Sequence, residues 1–315
     1  MSGIKVVFGG AGINPGAAFG SPEALQDVFD VLEKGNVKII DTAALYGKSE
    51  EILGKAGAGK RFTLDTKLKG CFGDGCSREA VMKEATNSKN MLGVDVDILY
   101  IHAPDKDTPL EETLAAVDAV HKSGFFKRFG LSNYQAKDVE AVYNHAKEKG
   151  YILPTVYQGN YSAVARKQET LLFPTLRKLG IAFYAYSPIA GGFLTKTKQQ
   201  VLDGAGRFDT SKPVGSMYSQ MYAKPSYLEA LAEWEKIASD EGCSRADLAY
   251  RWVRYNSPLK VEHGDAIIIG ASRLEQLKET LDSINGGPLS DNAVKRIDEI
   301  WSQISHEAPL DNFTK

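Results

Sequence analysis

Eight short, mostly apolar runs recur along this chain, and their alternation with amphipathic stretches restricts the fold more than any other feature of the sequence. They read VVFGG (6–10), VKIIDTA (37–43), RFTLDTK (61–67), DILYIHA (97–103), KRFGLSN (127–133), TVYQGN (155–160), IAFYAYS (181–187) and DAIIIGAS (265–272). Each is apolar along most of its length, as parallel strands covered on both faces must be. Between them lie stretches with helical caps and spacing. Ser21-Pro22-Glu23 opens one that ends at Gly35, others run over 110–124, 136–150 and 169–180, and Leu274 opens the last. Eight such units predict one (β/α)8 TIM barrel of the α/β class, a single domain over residues 1–315. That fold takes roughly 250 residues, and a doubly wound sheet has fewer strands. The first turn agrees: it reads Gly9-Gly10-Ala11-Gly12, with Pro15 where a dinucleotide fingerprint needs its third glycine.

One stretch breaks the alternation. Residues 195–225 are polar and rich in Gly and Lys, which predicts a long lid loop. Two extra amphipathic helices, near 226–240 and 244–255, precede the eighth strand.

Composition excludes several classes. With 43% hydrophobic residues and a net charge of -2, the chain can bury a large core but offers no basic excess for nucleic acid. It contains no apolar run of about 18 residues and no signal-peptide pattern at its start, so no membrane contact and a cytoplasmic location are expected. Cys71, Cys76 and Cys243 are too few to staple the fold, and CFGDGC lacks a second cysteine pair. Free thiols in a reducing compartment, and no metal, are expected.

In barrels of this kind the reacting groups stand at the C-terminal ends of strands. Strands two, three and four end in Asp41, Lys67 and His102, and Tyr46 follows strand two. Taken singly, each has an ordinary use: a strand-ending Asp, a Tyr-Gly turn, a solvated lysine, a structural Asp–Lys pair. At successive strand ends the four form a relay. A free phenol, with a pKa of roughly 10, is a poor acid at neutral pH, and an adjacent ammonium lowers that value. Asp41 would fix Lys67, Lys67 would tune Tyr46, and a neutral His102 would donate a hydrogen bond to the carbonyl oxygen that Tyr46 protonates.

The segments DTAALYG, TLDTKL and LYIHAPD, followed by GLSNY and YSPIAGG, resemble the aldo-keto reductases, and the likeness runs in order over essentially the whole chain. It implies a (β/α)8 barrel that binds NADPH without a Rossmann fold and reduces aldehydes or ketones. The family's Asp, Tyr, Lys and His tetrad falls on Asp41, Tyr46, Lys67 and His102. The resemblance further implies that Ser132, Asn133 and Gln158 hold the nicotinamide carboxamide and that Tyr186 stacks on the ring. Ser187, Ala190, Gly191, Gly192 and Leu194 would then line the pyrophosphate. Read from the residues alone, a Ser-Asn pair caps a helix, a Gln tidies a loop and an aromatic before Ser-Pro belongs to the core.

Strand eight leads through Gly270, Ala271, Ser272 and Arg273 into LEQLKETL, and a helix N-terminus beside an arginine is an anion site. The 2′-phosphate of NADPH is its natural occupant, with Gln276 alongside. The family's commoner Lys-Ser pair is replaced here by Gly270-Ala271, and its Arg and Asn by Gln276 and Thr280, so the preference for NADPH falls to Arg273.

Within the family, YSPIAGGFLT, Gly206-Arg207-Phe208, HGDAIIIGAS and LEQL resemble the aflatoxin-aldehyde reductase branch. That implies small-molecule carbonyl substrates such as dialdehydes and succinic semialdehyde, and a monomer or homodimer. Tyr218, Met221 and Tyr222 would shape the substrate pocket, with Arg207 or Lys224 meeting an acidic substrate or a cofactor phosphate. Two other functions compete. One is an NADPH-binding, redox-sensing auxiliary resembling a channel β subunit, with little turnover. The other is a barrel hydrolase pairing Asp41 with Asp65, which would bind no nicotinamide. A serine hydrolase fits poorly, since GLSNY and GASRL lack the glycine two places after Ser.

Overall fold

A computed structural model describes residues 3–313 and closes all eight expected strands into one parallel barrel. They are β1 (Lys5–Gly9), β2 (Ile39–Asp41), β3 (Thr63–Leu68), β4 (Val96–Ile101), β5 (Phe126–Ser132), β6 (Pro154–Asn160), β7 (Ala182–Tyr186) and β8 (Ala266–Ile269). Each pairs with the next and β8 returns to β1, so no sheet edge is left open.

The flanking helices up to β7 are α1 (Ala24–Lys34), α2 (Ser49–Lys55), α3 (Arg78–Leu92), α4 (Leu110–Lys122), α5 (Ala136–Lys149), α6 (Gln168–Leu171) and α7 (Phe173–Leu179). The helix expected over 169–180 is thus two. Pro174 has no N–H with which to continue α6, but it fits the first turn of α7. The longer helices turn an apolar stripe to the barrel, as in α1, where Leu25, Val28, Phe29 and Leu32 are all fully buried.

Two cores result. One lies between sheet and helices, and the other fills the barrel with Val7, Ile98, Tyr100, Val156, Tyr184, Ala266 and Ile268. Gly130 makes the second possible, because a Cβ there would lie 2.2 Å from the Tyr100 ring. An Asp97–Arg128 ion pair at 2.6 Å, with Tyr184 and Lys5 beside it, plugs the N-terminal end.

The expected lid loop proves largely helical. It folds into α8 (Lys198–Leu202), a 3-10 turn (Gly206–Phe208) and α9 (Pro213–Tyr222), before α10 (Pro225–Asp240) and α11 (Arg245–Arg251). Thr197 and Gln200 form a capping box on α8, and Pro213 starts α9. Helix α8 and the 3-10 turn are too short and polar to show a helical period in sequence, whereas Tyr218, Met221 and Tyr222 of α9 do carry helical spacing. Helices α12 (Leu274–Ser283) and α13 (Asp291–Ile304) complete the ring. Among the described residues, no helix is long and apolar enough to cross a membrane, no three His, Cys, Asp or Glu side chains gather as a metal site, and Cys71, Cys76 and Cys243 are free thiols.

Candidate active site

The strand ends bring the four expected residues together. The Lys67 ammonium lies 2.5 Å from Asp41 Oδ2 and donates to the Thr42 carbonyl at 2.7 Å, while Gln158 Nε2 donates to Asp41 Oδ1 at 2.9 Å. Asp41 is therefore gripped from both sides. Lys67 Nζ also lies 5.0 Å from the centre of the Tyr46 ring, and Tyr46 meets His102 edge-to-face at 5.7 Å. Asn133 Nδ2 donates to the His102 carbonyl at 2.8 Å, fixing the segment that carries the imidazole.

The charges settle as follows. Burial opposes the Lys67 ammonium, but the attraction of Asp41 and Tyr46 outweighs it and the pKa rises, so the lysine stays protonated. Burial and the nearby ammonium together lower His102 to about 3, which keeps the imidazole neutral as expected. Tyr46 departs from expectation. Part of the residue is exposed but its hydroxyl is enclosed, and that burial raises the phenol above the ordinary tyrosine value, Lys67 pulling down and Asp41 pushing up. In the chain alone, Lys67 moderates a rise instead of producing a net fall.

Asp65, in register with Asp41 on β3, lies one inward layer below Lys67 and is 0% exposed. Its Oδ1 accepts the Ile98 N–H at 3.1 Å and Oδ2 makes no hydrogen bond. Burial, aided by the negative charges of Asp41 and Asp97, raises its pKa well above the usual carboxylate range. With Asp65 sealed off and Asp41 engaged, the paired-carboxylate alternative loses both members. An acid whose folded pKa is raised weakens the fold as pH climbs from the unfolded value, about 3.9, through the folded one. Asp65→Asn should therefore match the parent near pH 4 and gain relative stability toward about pH 8. Denaturant melts at the two pH values check this, and an equal difference at both would show that Asp65 is not held neutral.

The expected cofactor residues line the neighbouring sector. Ser132, Asn133 and Gln158 are buried at the ends of β5 and β6, and the Tyr186 hydroxyl donates to Asn133 Oδ1 at 3.1 Å. Gln158 has a task the sequence did not reveal, since one amide hydrogen steadies Asp41. After β7 the backbone takes left-handed conformations at Ser187 (φ 56°), Ala190 (51°), Gly191 (67°) and Gly192 (99°). For Ser187 and Ala190 this costs about 1–2 kcal/mol each. These positive φ angles fold the segment into a tight cradle of small residues in which the Ala190, Gly192 and Leu194 N–H groups donate to carbonyls within the turn. Leu194 is buried behind it.

Cations border this cradle. Lys196, not singled out from the sequence, donates to the Gly192 carbonyl at 3.3 Å, and burial together with Arg207 lowers its pKa. Arg207 is exposed and donates to the Tyr218 hydroxyl at 3.4 Å. At the start of α12, Ser272 gives its N–H and hydroxyl to Gln276 Oε1, and Gly270 and Arg273 are exposed. The Arg273 guanidinium makes no hydrogen bond or ion pair among the described residues, while its carbonyl accepts the Leu277 N–H at 3.1 Å.

Of the three residues expected to shape the pocket, only Tyr218 reaches the site. Its hydroxyl lies 3.2 Å from Ser187 Oγ, and its ring crosses so close to Gly191 that a Cβ there would stand 2.1 Å away. Tyr222 is fully buried, stacked on Phe193 at 5.7 Å with its hydroxyl accepting from Asn160, and Met221 is nearly buried on the same α9 face. Both belong to the core of the cap because helical spacing turns 218, 221 and 222 inward together. Lys224 donates to the Glu307 carbonyl at 2.5 Å and is spent on structure. Phe72, absent from the sequence-based site, meets His102 edge-on at 5.7 Å.

A buried Asp–Lys pair, a phenol and a neutral imidazole meet at one rim of a closed parallel barrel, a grouping suited to an oxidoreductase that acts on carbonyl groups. The Aldo/keto reductase family model matches residues 5–302. The oxidoreductase sirO of Leptosphaeria maculans is 41% identical over 308 residues, 96% of this chain and 93% of its own. The human aflatoxin B1 aldehyde reductase member 2 is 38% identical over 315 residues (93% and 86%), and the human aldo-keto reductase family 7 member A3 is 40% identical over 294 (88% and 88%). The chain belongs to the aldo/keto reductase family and is an NAD(P)H-dependent oxidoreductase.

Proposed function

We propose that this protein uses NADPH to reduce aldehydes or ketones to alcohols, with Tyr46 as proton donor. The observation that carries the proposal is the Lys67 ammonium, locked between Asp41 and Thr42 and lying 5.0 Å from the Tyr46 ring. When bound, the nicotinamide supplies a hydride. Tyr46 releases its proton to the carbonyl oxygen as negative charge develops there, and the fixed ammonium stabilises the phenolate left behind. His102 stays neutral; among the described residues its Nδ1 is buried without a hydrogen-bond partner, and in the tautomer protonated at Nε2 the ring would donate to the same oxygen and align the carbonyl.

Ser132, Asn133, Gln158 and Tyr186 would hold the nicotinamide. The Ser187–Leu194 segment, with Lys196 and Arg207, would hold the pyrophosphate. Arg273, with Gly270, Ser272 and Gln276, would take the 2′-phosphate, which the exposed, unpaired guanidinium supports. Arg273→Ala should then weaken NADPH roughly 10- to 100-fold, the worth of a hydrogen bond between charged groups, and NADH far less. Fluorescence titration with both cofactors measures this, and equal losses would remove the 2′-phosphate from this site. A carbonyl panel with the loaded protein completes the test. Steady NADPH consumption is expected; tight binding without turnover would favour a redox-sensing auxiliary.

A further inference from the structure

Lys196 lies half-buried between two turned backbones: a Cβ on Gly192 would stand 3.2 Å from its Nζ, and one on Gly206 3.6 Å. The amine donates to the Gly192 carbonyl at 3.3 Å and lies 5.8 Å from the centre of the Phe208 ring. Among the described residues no carboxylate pairs with it. Arg207 also lacks a carboxylate; its guanidinium carbon lies 5.8 Å from the centre of the Tyr218 ring, which is 6.3 Å from that of Phe208. Two cations thus share one side of the cradle without an acidic side chain to pair them.

Such surroundings suit a neutral amine. It keeps an N–H for the Gly192 carbonyl, its lone pair is free, and no carboxylate holds it in the charged form. Burial and Arg207 lower its pKa accordingly, whereas Glu51 raises that of Lys48 and Asp118 that of Lys122. A lysine beside a second cation in a partly dry site is the kind that condenses with carbonyl groups. We propose that Lys196 captures carboxylate-bearing aldehydes as an imine, with Arg207 holding the carboxylate while the amine bonds to the carbonyl carbon. The nitrogen lone pair forms the N–C bond and the C=O π pair goes to oxygen. The nitrogen then gives up its protons, the C–O bond breaks and a C=N bond forms. Amine and aldehyde thus give imine and water, with no oxidant or reductant. One consequence rests on the pyrophosphate site proposed above: NADPH and the captured aldehyde exclude each other.

Glyoxylate and propanal, each with cyanoborohydride to reduce the imine, test this, and peptide mass spectrometry reads which lysines become secondary amines. In the parent, glyoxylate should label Lys196 ahead of Lys48 and Lys122, which are exposed and paired with Glu51 and Asp118. Arg207→Ala should lower the ratio of glyoxylate to propanal labelling at Lys196 roughly tenfold, the lower end of what a hydrogen bond between charged groups is worth. On the parent, excess inorganic phosphate should lower the same ratio, so the test holds even where the variant does not fold. Labelling of Lys196 no sooner than Lys48 and Lys122, or a ratio that neither Arg207→Ala nor phosphate changes, overturns the capture site. NADPH should slow labelling of Lys196 by both aldehydes. Labelling that NADPH does not slow would remove the pyrophosphate from this cradle and leave the capture site standing.

Discussion

Tyr46→Phe should lower kcat for carbonyl reduction by about 10²- to 10⁴-fold, the usual contribution of a positioned proton donor. The ring and its edge contact with His102 survive the change, so NADPH binding followed by fluorescence should stay within about twofold of the parent, well below the tenfold that 1.4 kcal/mol represents. Loss of binding and turnover together would deny the phenol its assigned role. The pH profile gives a second handle. His102 titrates at about 3, and burial lifts the Tyr46 phenol above its ordinary value, so neither group changes charge near neutrality. The parent should show a level kcat for reduction from about pH 5 to pH 8, where an unperturbed histidine would titrate. A limb near pH 6.5 would mean that His102 acts in a charged form.

Lys67→Met should damage both the chemistry and the fold. The methionine fills most of the volume but leaves Asp41 buried opposite Gln158 without its cation, and removing one partner of a buried pair costs about 3–5 kcal/mol. An unpaired buried carboxylate has a raised folded pKa. Its penalty is therefore largest at neutral pH and shrinks as pH falls toward the carboxylate range. Urea melts at about pH 7 and pH 4 should show the deficit narrowing, and Asp41→Asn added to Lys67→Met should restore stability without restoring turnover. A loss below about 1 kcal/mol, the same at both pH values, would place the pair in effective contact with solvent.

The barrel was legible because parallel strands buried on two faces need unbroken apolar runs, and DILYIHA or DAIIIGAS can serve few other purposes. Position at a strand end then predicted the convergence of Asp41, Lys67 and His102, since a short parallel ladder leaves little freedom in where its last residues point. Whatever depended on long-range packing was hidden. Nothing in DTAALYG says whether enclosure or the ammonium dominates at Tyr46, because enclosure is supplied by distant segments. Tyr222 looked like pocket material, and its burial depends on Phe193 and Tyr227 arriving from elsewhere. Phe72 and Phe313 lie far apart in the chain, and no local pattern announces that they meet. Lys196 was the nearest miss. It stands four residues after Gly192, close enough to a turned backbone to be suspected of reaching an anion.

Gln158 belongs to β6 and Asp41 to β2, strands that do not touch, so the amide works as a tie-beam thrown across the lumen. Under the proposed function, a nicotinamide held by Gln158 and Tyr186 would lean on the same beam that steadies Asp41. Substitutions that shift Gln158 on one flank of the mouth should therefore be felt at Asp41 on the other.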